Sequence, residues 1–266
     1  ERPMIFDCND RPGIMLSSAV RKYANTYGVK CGNNISIFTN NDDAYETAIT
    51  LYDKGVKVKS IIDIREKSDG ILPMKCKELG IKIHWKSAVI YTEGYKKISK
   101  IHVMKLSKDN SNVVGNKLKI NCDLLCVSGG YTPAVHLFTQ SGGKLDYNEK
   151  KYYFFPKKST LSQISVGSCN GTFGLKNIIL EAQEKTREFL DIKETEHFKV
   201  LEPKSGIFEN IWLIPSNKIA GKTKSFVDYQ NDSTANDIKL ALREGFKSIE
   251  HVKRYTTTGM ATDQGK

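Results

Sequence analysis

Apolar residues in this chain fall into short runs separated by turns. Ile35 to Thr39 is a run of the buried-strand type. After the polar turn Asn40-Asn41-Asp42-Asp43, Ala44, Ala48 and Leu51 recur along one side of a helix from Ala44 to Lys54, which Gly55 closes. Val56 to Ile64 is the next strand. Pro73 to Leu79 is a short helix ended by Gly80, and Ile81 to Trp85 is a third strand. This alternation predicts a βαβ unit over residues 33–85 and a parallel, doubly wound sheet.

The period then changes. Ala88–Tyr91, Ile98–Leu106 and Lys117–Ile120 predict an antiparallel meander, with Ile101, Val103 and Leu106 alternating with Lys100, His102 and Lys105. Lys108 to Gly115 reads as its hairpin loop. Leu124 to Val127 is apolar throughout, as suits a central parallel strand, and Ser128-Gly129-Gly130 ends it. Ile164-Ser165-Val166 is expected as a strand, followed by Gly167, Asn170-Gly171 and a helix from about Leu175 to Leu190. Residues 195–225 read as an irregular linker that packs Ile211-Trp212-Leu213-Ile214 on a neighbour. A helix is predicted from Asp237 to Glu250, with Ser233 and Thr234 placed to cap it and Ile238, Leu242 and Ile249 near one stripe. Glu1 is no initiator Met, and Asp263–Lys266 is a polar turn with no element after it. The chain is therefore expected to be an internal part of a longer polypeptide.

Charge and cysteine content narrow the classes. The net charge is +11, but the lysines are scattered and mixed with Asp and Glu, without a basic stripe carrying aromatics. That pattern is composition bias and not a nucleic-acid surface. No run approaches the roughly 18 apolar residues of a membrane span. Six cysteines occur without a CxxC. Cys122 and Cys126 lie about 13 Å apart in an extended strand, too far to share a metal or a disulfide. Free buried thiols and a reducing cytoplasm are the expectation.

A dinucleotide site wants glycines between the first strand and helix, and an acid about 20 positions on. Asp63 supplies the acid; its bland alternative is a solvated strand-end carboxylate. The glycines are missing, because the turn is Thr39-Asn40-Asn41-Asp42-Asp43. Its carboxylates satisfy the helix N-terminus and repel a pyrophosphate, so the pocket is read as unused. The second candidate pairs Ser128-Gly129-Gly130 with Gly167-Ser168-Cys169-Asn170-Gly171. These are either plain turn formers or strand ends that let backbone approach a dinucleotide, with the following helix aimed at its phosphates.

This order resembles the FAD/NAD(P)-binding two-dinucleotide-domain fold of the glutathione-reductase-like type. Ser128-Gly129-Gly130-Tyr131-Thr132-Pro133 looks like its "ATG" strand end. Val166-Gly167-Ser168-Cys169-Asn170 looks like its "GD" segment, with Asn170 where Asp is usual. Residues 1–32 and 121–195 would then be parts of an outer domain, 33–120 an inserted Rossmann-like domain with the meander, 196–225 a linker and 226–266 the start of a helical module. The match is closer in Glu1-Arg2-Pro3, Asn9–Met15, Phe38–Asp43, Pro133–Phe138, Gln140–Leu145, Phe226-Val227-Asp228, His251–Thr257 and Gly259–Lys266. These segments resemble the alpha-subunit family of heterotetrameric sarcosine oxidases. The last forty residues also look like a bacterioferritin-associated-ferredoxin-like module. Asp228, Gln230 and Asp263 stand at cluster-ligand positions there, and none is a thiolate, so no metal is expected.

The resemblance implies oxidative demethylation of sarcosine to glycine, with hydrogen peroxide formed and tetrahydrofolate capturing the one-carbon unit. It implies NAD in the outer domain, FMN at a subunit boundary, FAD in a beta subunit, and beta, gamma and delta partners. The phosphate loop would precede Glu1 and the folate domain would follow Lys266. No residue here is expected to be catalytic, and the piece alone is expected to be inactive. Supporting contacts implied are Gly129 and Gly130 beside the dinucleotide, Asn170 and Gly171 near its pyrophosphate or ribose, and Lys253, Arg254 and Thr256 facing the FMN phosphate. The bland reading of the last three is a solvated helix end. Alternatives are a subunit of an opine or amino-acid dehydrogenase of the same architecture, or a non-catalytic scaffold.

Overall fold

The computed structural model describes residues 1–192, 199–200, 208–216 and 223–262. In chain order the elements are β1 (Ile14–Leu16), α1 (Ser17–Thr26), β2 (Asn34–Thr39), α2 (Asp43–Asp53), β3 (Lys57–Asp63), α3 (Ile71–Glu78), β4 (Lys82–His84), β5 (Ser87–Glu93), β6 (Lys100–Leu106), β7 (Val113–Asn121) and β8 (Leu124–Ser128). Then come α4 (His136–Gln140), β9 (Lys144–Asn148), β10 (Tyr153–Lys158), a 3-10 turn at Gly167–Asn170, α5 (Leu175–Leu190), β11 (Phe226–Asp228), β12 (Ser233–Thr234), α6 (Ala235–Arg243) and α7 (Ile249–Thr256). They form two compact units, Glu1–Gly130 with Ser205–Lys266, and Tyr131–Lys204.

The first unit rests on a five-stranded parallel sheet in the order β1-β8-β2-β3-β4. Alternate side chains serve its two faces. Ile35, Ile37, Leu124 and Cys126 join Val20, Ala44, Ala48 and Cys76 of the helices α1, α2 and α3. Phe38, Leu125 and Val127 join Ala88, Ile101 and Val103 of the antiparallel meander β5-β6-β7. Helices therefore cover one face only. The doubly wound expectation is corrected there: the second face takes the apolar side of the meander, which has nowhere else to be buried.

The expected domain boundary at residue 121 also differs from the sheet. β8 lies between β1 and β2, and the Asp123 carboxylate accepts the Asn33 and Asn34 N–H groups at 3.0 and 2.7 Å. Residues 14–26 and 121–130 thus belong with the βαβ unit. Parallel pairing between strands about 90 residues apart leaves no local period to read. β1 and α1 escaped the pattern because β1 has three residues and α1 buries only Ser17, Val20 and Ala24.

The linker touches the first unit where it is described. Leu213 bridges Ile5 in parallel, and Ile214 is buried in the core. Much of 196–225 lies outside the described residues. The predicted 237–250 helix is two helices. Phe246 N–H donates to Ala241 O and Gly245 N–H to Leu242 O, a Schellman-type stop that ends α6. Thr234 caps α6 in a capping box with Asp237. Ala241 and Val252 are the buried apolar residues of the two helices, while Leu242 and Ile249 are exposed.

In the second unit, β9 and β10 form a hairpin absent from the sequence reading. Ile164–Val166 is not a strand but leads into the 3-10 turn. All six cysteines are free, and Cys8, Cys31 and Cys169 are only partly buried, contrary to the default of buried thiols.

Candidate functional site

The β2–α2 turn stands where this kind of sheet receives a coenzyme. Its own side chains occupy it. Asn41 donates to Ser128 Oγ at 3.0 Å and accepts the Asp43 N–H at 3.1 Å. Asp42 pairs with Arg65 Nη1 at 2.8 Å and accepts from Ser68 Oγ at 2.9 Å. Asp63 receives Arg65 Nη2 and Tyr45 OH, both at 2.7 Å, and the Arg65 backbone N–H at 2.9 Å. Asp63 is 0% exposed and Arg65 3%. The solvated-carboxylate reading of Asp63 is therefore corrected: it is the centre of a buried ion network.

Burial pushes the Asp63 carboxyl up, against the hydrogen bonds and charge of Arg65 that pull it down. Burial alone would lower Arg65, but its bonds to Asp63 and Asp42 carry it above its ordinary value, so it stays cationic. Tyr45 is pushed up by burial and then by the Asp63 charge, and so remains a donor. Two buried carboxylates against one guanidinium leave no place for a pyrophosphate.

The carboxyl end of the sheet is also covered. Glu209 N–H meets Asn40 O at 3.4 Å, and the Arg2 guanidinium lies 5.0 Å from the Trp212 ring centre and 5.7 Å from that of Phe208. Gly129 N–H donates to Arg2 O and Arg2 N–H to Gly130 O, both at 2.7 Å. A Cβ on Gly129 would lie 2.6 Å from Pro3 O, and one on Gly130 (φ +92°) 2.3 Å from Phe208 Cε2. The neighbours that demand glycine here are the chain's own segments.

Asn170 and Gly171 lie in the other unit. Glu181, on α5, accepts from Gly167 N–H at 2.6 Å, Asn170 Nδ2 at 2.7 Å and Thr172 Oγ1 at 2.9 Å. Burial would raise its carboxyl, but these donors outweigh burial and hold it below the usual range. Tyr153 OH donates to Gly171 O at 2.8 Å.

Lys253 and Arg254 occupy the last turn of α7, half-buried and exposed respectively. Two cations suit a phosphate dianion. Thr256 does not present its hydroxyl in the same way. It is buried, donates to Val252 O at 2.8 Å and meets Thr258 Oγ1 at 2.8 Å. The cavity of about 290 Å³ that it lines carries Asp232 and Asp237, which disfavour an anion. Asp228, at a cluster-ligand position, accepts Gly259 N–H at 2.7 Å and Gln230 N–H at 2.9 Å. The Gly259 bond first, then Asn231, hold its carboxyl low. Asp263 lies outside the described residues. Among the described residues no cluster of His, Cys, Asp or Glu is arranged to hold a metal, and no helix is long and apolar enough to cross a membrane.

Sequence reasoning missed Arg65, Tyr45 and Arg2. A signal existed for the first: Asp63 and Arg65 sit two apart at a strand end, on one side of the chain.

The parallel sheet, its meander and the turn define an FAD/NAD(P)-binding dinucleotide fold of the two-domain oxidoreductase type. L-proline dehydrogenase from P. horikoshii shares this fold at a TM-score of 0.60 and 18% identity, over 98% of this chain and 48% of that one. The chain is homologous over its full length to sarcosine oxidase subunit alpha of Corynebacterium sp. (strain P-1), 34% identical over 277 residues, and of Rhizobium meliloti (strain 1021), 37% identical over 273. It spans only 28% and 26% of those proteins. Residues 222–266 match the sarcosine oxidase A3 domain. The resemblance expected from the motifs holds.

Proposed function

We propose that this chain is the closed second dinucleotide module, with the start of the tail domain, of a sarcosine-oxidase-type alpha subunit. Full-length identity of 32–37% to named alpha subunits carries this reading. The whole protein converts sarcosine to glycine with oxygen reduced to hydrogen peroxide, and tetrahydrofolate takes the one-carbon unit. It works in the cytoplasm with beta, gamma and delta subunits. The flavins and NAD supply the hydride and electron chemistry when bound, and FAD belongs to the beta subunit.

This chain's residues support that chemistry without performing it. The Asp42–Arg65–Asp63 network keeps NAD out of the inner module. Glu181 holds the Gly167–Thr172 turn in shape, so that Asn170 and Gly171 present a fixed edge to a dinucleotide in the outer domain. Gly129 and Gly130 fix the end of β8 beneath Arg2 and Phe208. Lys253 and Arg254 hold the FMN phosphate by charge. Thr256 orders the end of α7 and is not a phosphate donor.

The test is the full-length protein with its partner subunits. Sarcosine is expected to drive oxygen uptake with equal glycine and peroxide. Adding tetrahydrofolate is expected to replace free formaldehyde by methylenetetrahydrofolate. A complete flavin-loaded complex that ignores sarcosine overturns the reading.

A further inference from the structure

We propose that the cavity beside β1 binds a free amino acid with an apolar side chain, its ammonium group on Asp10 and its carboxylate on Arg11. The cavity measures about 350 Å³, the size of a small-molecule site. Met4, Phe6, Leu16 and Val127 form apolar walls, and the tail adds Tyr229. Met4, Phe6 and Val127 are also buried in the core, which holds those walls in place.

The polar lining includes one run of chain, Asn9-Asp10-Arg11. Asn9 is already engaged: its carboxamide meets Phe226 O and N–H at 2.9 and 2.8 Å, and its carbonyl accepts Tyr229 OH at 3.1 Å. Arg11 donates from Nε to Thr92 Oγ1 at 3.1 Å and from Nη1 to Gly94 O. These neutral acceptors orient the guanidinium without cancelling its charge, and Nη2 has no partner among the described residues. The Asp10 carboxylate is exposed and accepts no hydrogen bond from a described residue. Among the described residues neither charge forms an ion pair, with the other or elsewhere. Burial, and then the Asp10 charge, push the Tyr229 hydroxyl up to about 12, so Asp10 acts on the cavity wall. An apolar wall beside one unmatched carboxylate and one unmatched guanidinium complements a zwitterion with an apolar body. A ligand with a single charge leaves the other side chain unmatched. Glycine has both charges but buries nothing against Phe6 and Leu16, whereas a leucine side chain does.

The test is calorimetric titration of the complete complex, without turnover, with L-leucine, glycine, 4-methylpentanoate and 3-methylbutylamine. The last two are leucine without its ammonium and without its carboxylate. L-Leucine is expected to bind once per chain, and each of the other three about fivefold more weakly or less, the scale of one partly exposed charge pair. Asp10→Asn should weaken leucine about fivefold and leave 4-methylpentanoate unchanged, since that ligand has no ammonium to lose. Leu16→Gln should weaken leucine and leave glycine unchanged. The ligand analogues test the same two charges in the unmutated protein, so the result does not hang on a variant folding. No leucine binding up to about 10 mM overturns the site. A single-charge analogue that matches leucine overturns the zwitterion, and leucine binding that survives both variants overturns the placement.

Discussion

Two turns in this chain lead into helices, α2 and α5, and carboxylates satisfy both in opposite ways. Before α2, Asp42 and Asp63 are buried and share the guanidinium of Arg65. Before α5, Glu181 is half-buried and receives only dipolar donors from Gly167, Asn170 and Thr172. The first arrangement spends every buried charge internally and bars an anion. The second shapes a loop through hydrogen bonds alone. An acid near a strand end therefore says little by itself; the presence of a cation within 3 Å separates a buried ion network from a hydrogen-bonded turn.

The largest test of that contrast is Arg65→Met. It strands two buried carboxylates, which should cost about 3–5 kcal/mol. Denaturant unfolding of the full chain should show this as a lower midpoint with an unchanged slope. A loss under about 1 kcal/mol would mean the network is not buried as described. Next is Gly130→Ala. Its Cβ would strike the Phe208 ring at a positive φ, so a loss of about 1–3 kcal/mol is expected by the same measurement. Tyr45→Phe removes one donor from Asp63 and should cost about 1–2 kcal/mol.

The strands and helices that carry their own period were readable from sequence. β2, α2, β3 and the meander all lie within a few residues of their predicted places. What escaped was non-local or non-periodic. β8 joins the inner sheet through pairing with β1 and β2, which no short window shows. Arg65 and Arg2 act by meeting partners across the fold, and the sequence offered only the Asp63–Arg65 spacing as a hint. The closed state of the pocket was legible for a partial reason. The acidic turn was visible, but the cation that neutralises it and the Phe208–Trp212 cover were not. The Thr256 hydroxyl was misjudged because a threonine near a helix end bonds backward to its own turn as readily as outward.

The smallest expected effect belongs to the loop whose acid is held by uncharged hydrogen-bond donors. Glu181→Gln keeps the shape but weakens three charge-assisted bonds, so the loss should be about 0.5–1 kcal/mol, discounted for partial exposure. Its pH dependence gives the sharper signature. Glu181 has a folded-state pKa below its unfolded value, so its contribution is complete above the unfolded carboxylate pKa and fades as pH falls through the lower folded pKa. The wild type and Glu181→Gln curves should therefore run apart above about pH 5 and converge in acid. Asp63 should behave oppositely in sign, because burial raises its carboxyl above its ordinary value: keeping it ionised costs stability at neutral pH, and that cost fades as pH falls. If Glu181→Gln instead converges with wild type at neutral pH and separates in acid, the carboxylate is not the ionised organiser of the turn, and the contrast between the two loops collapses.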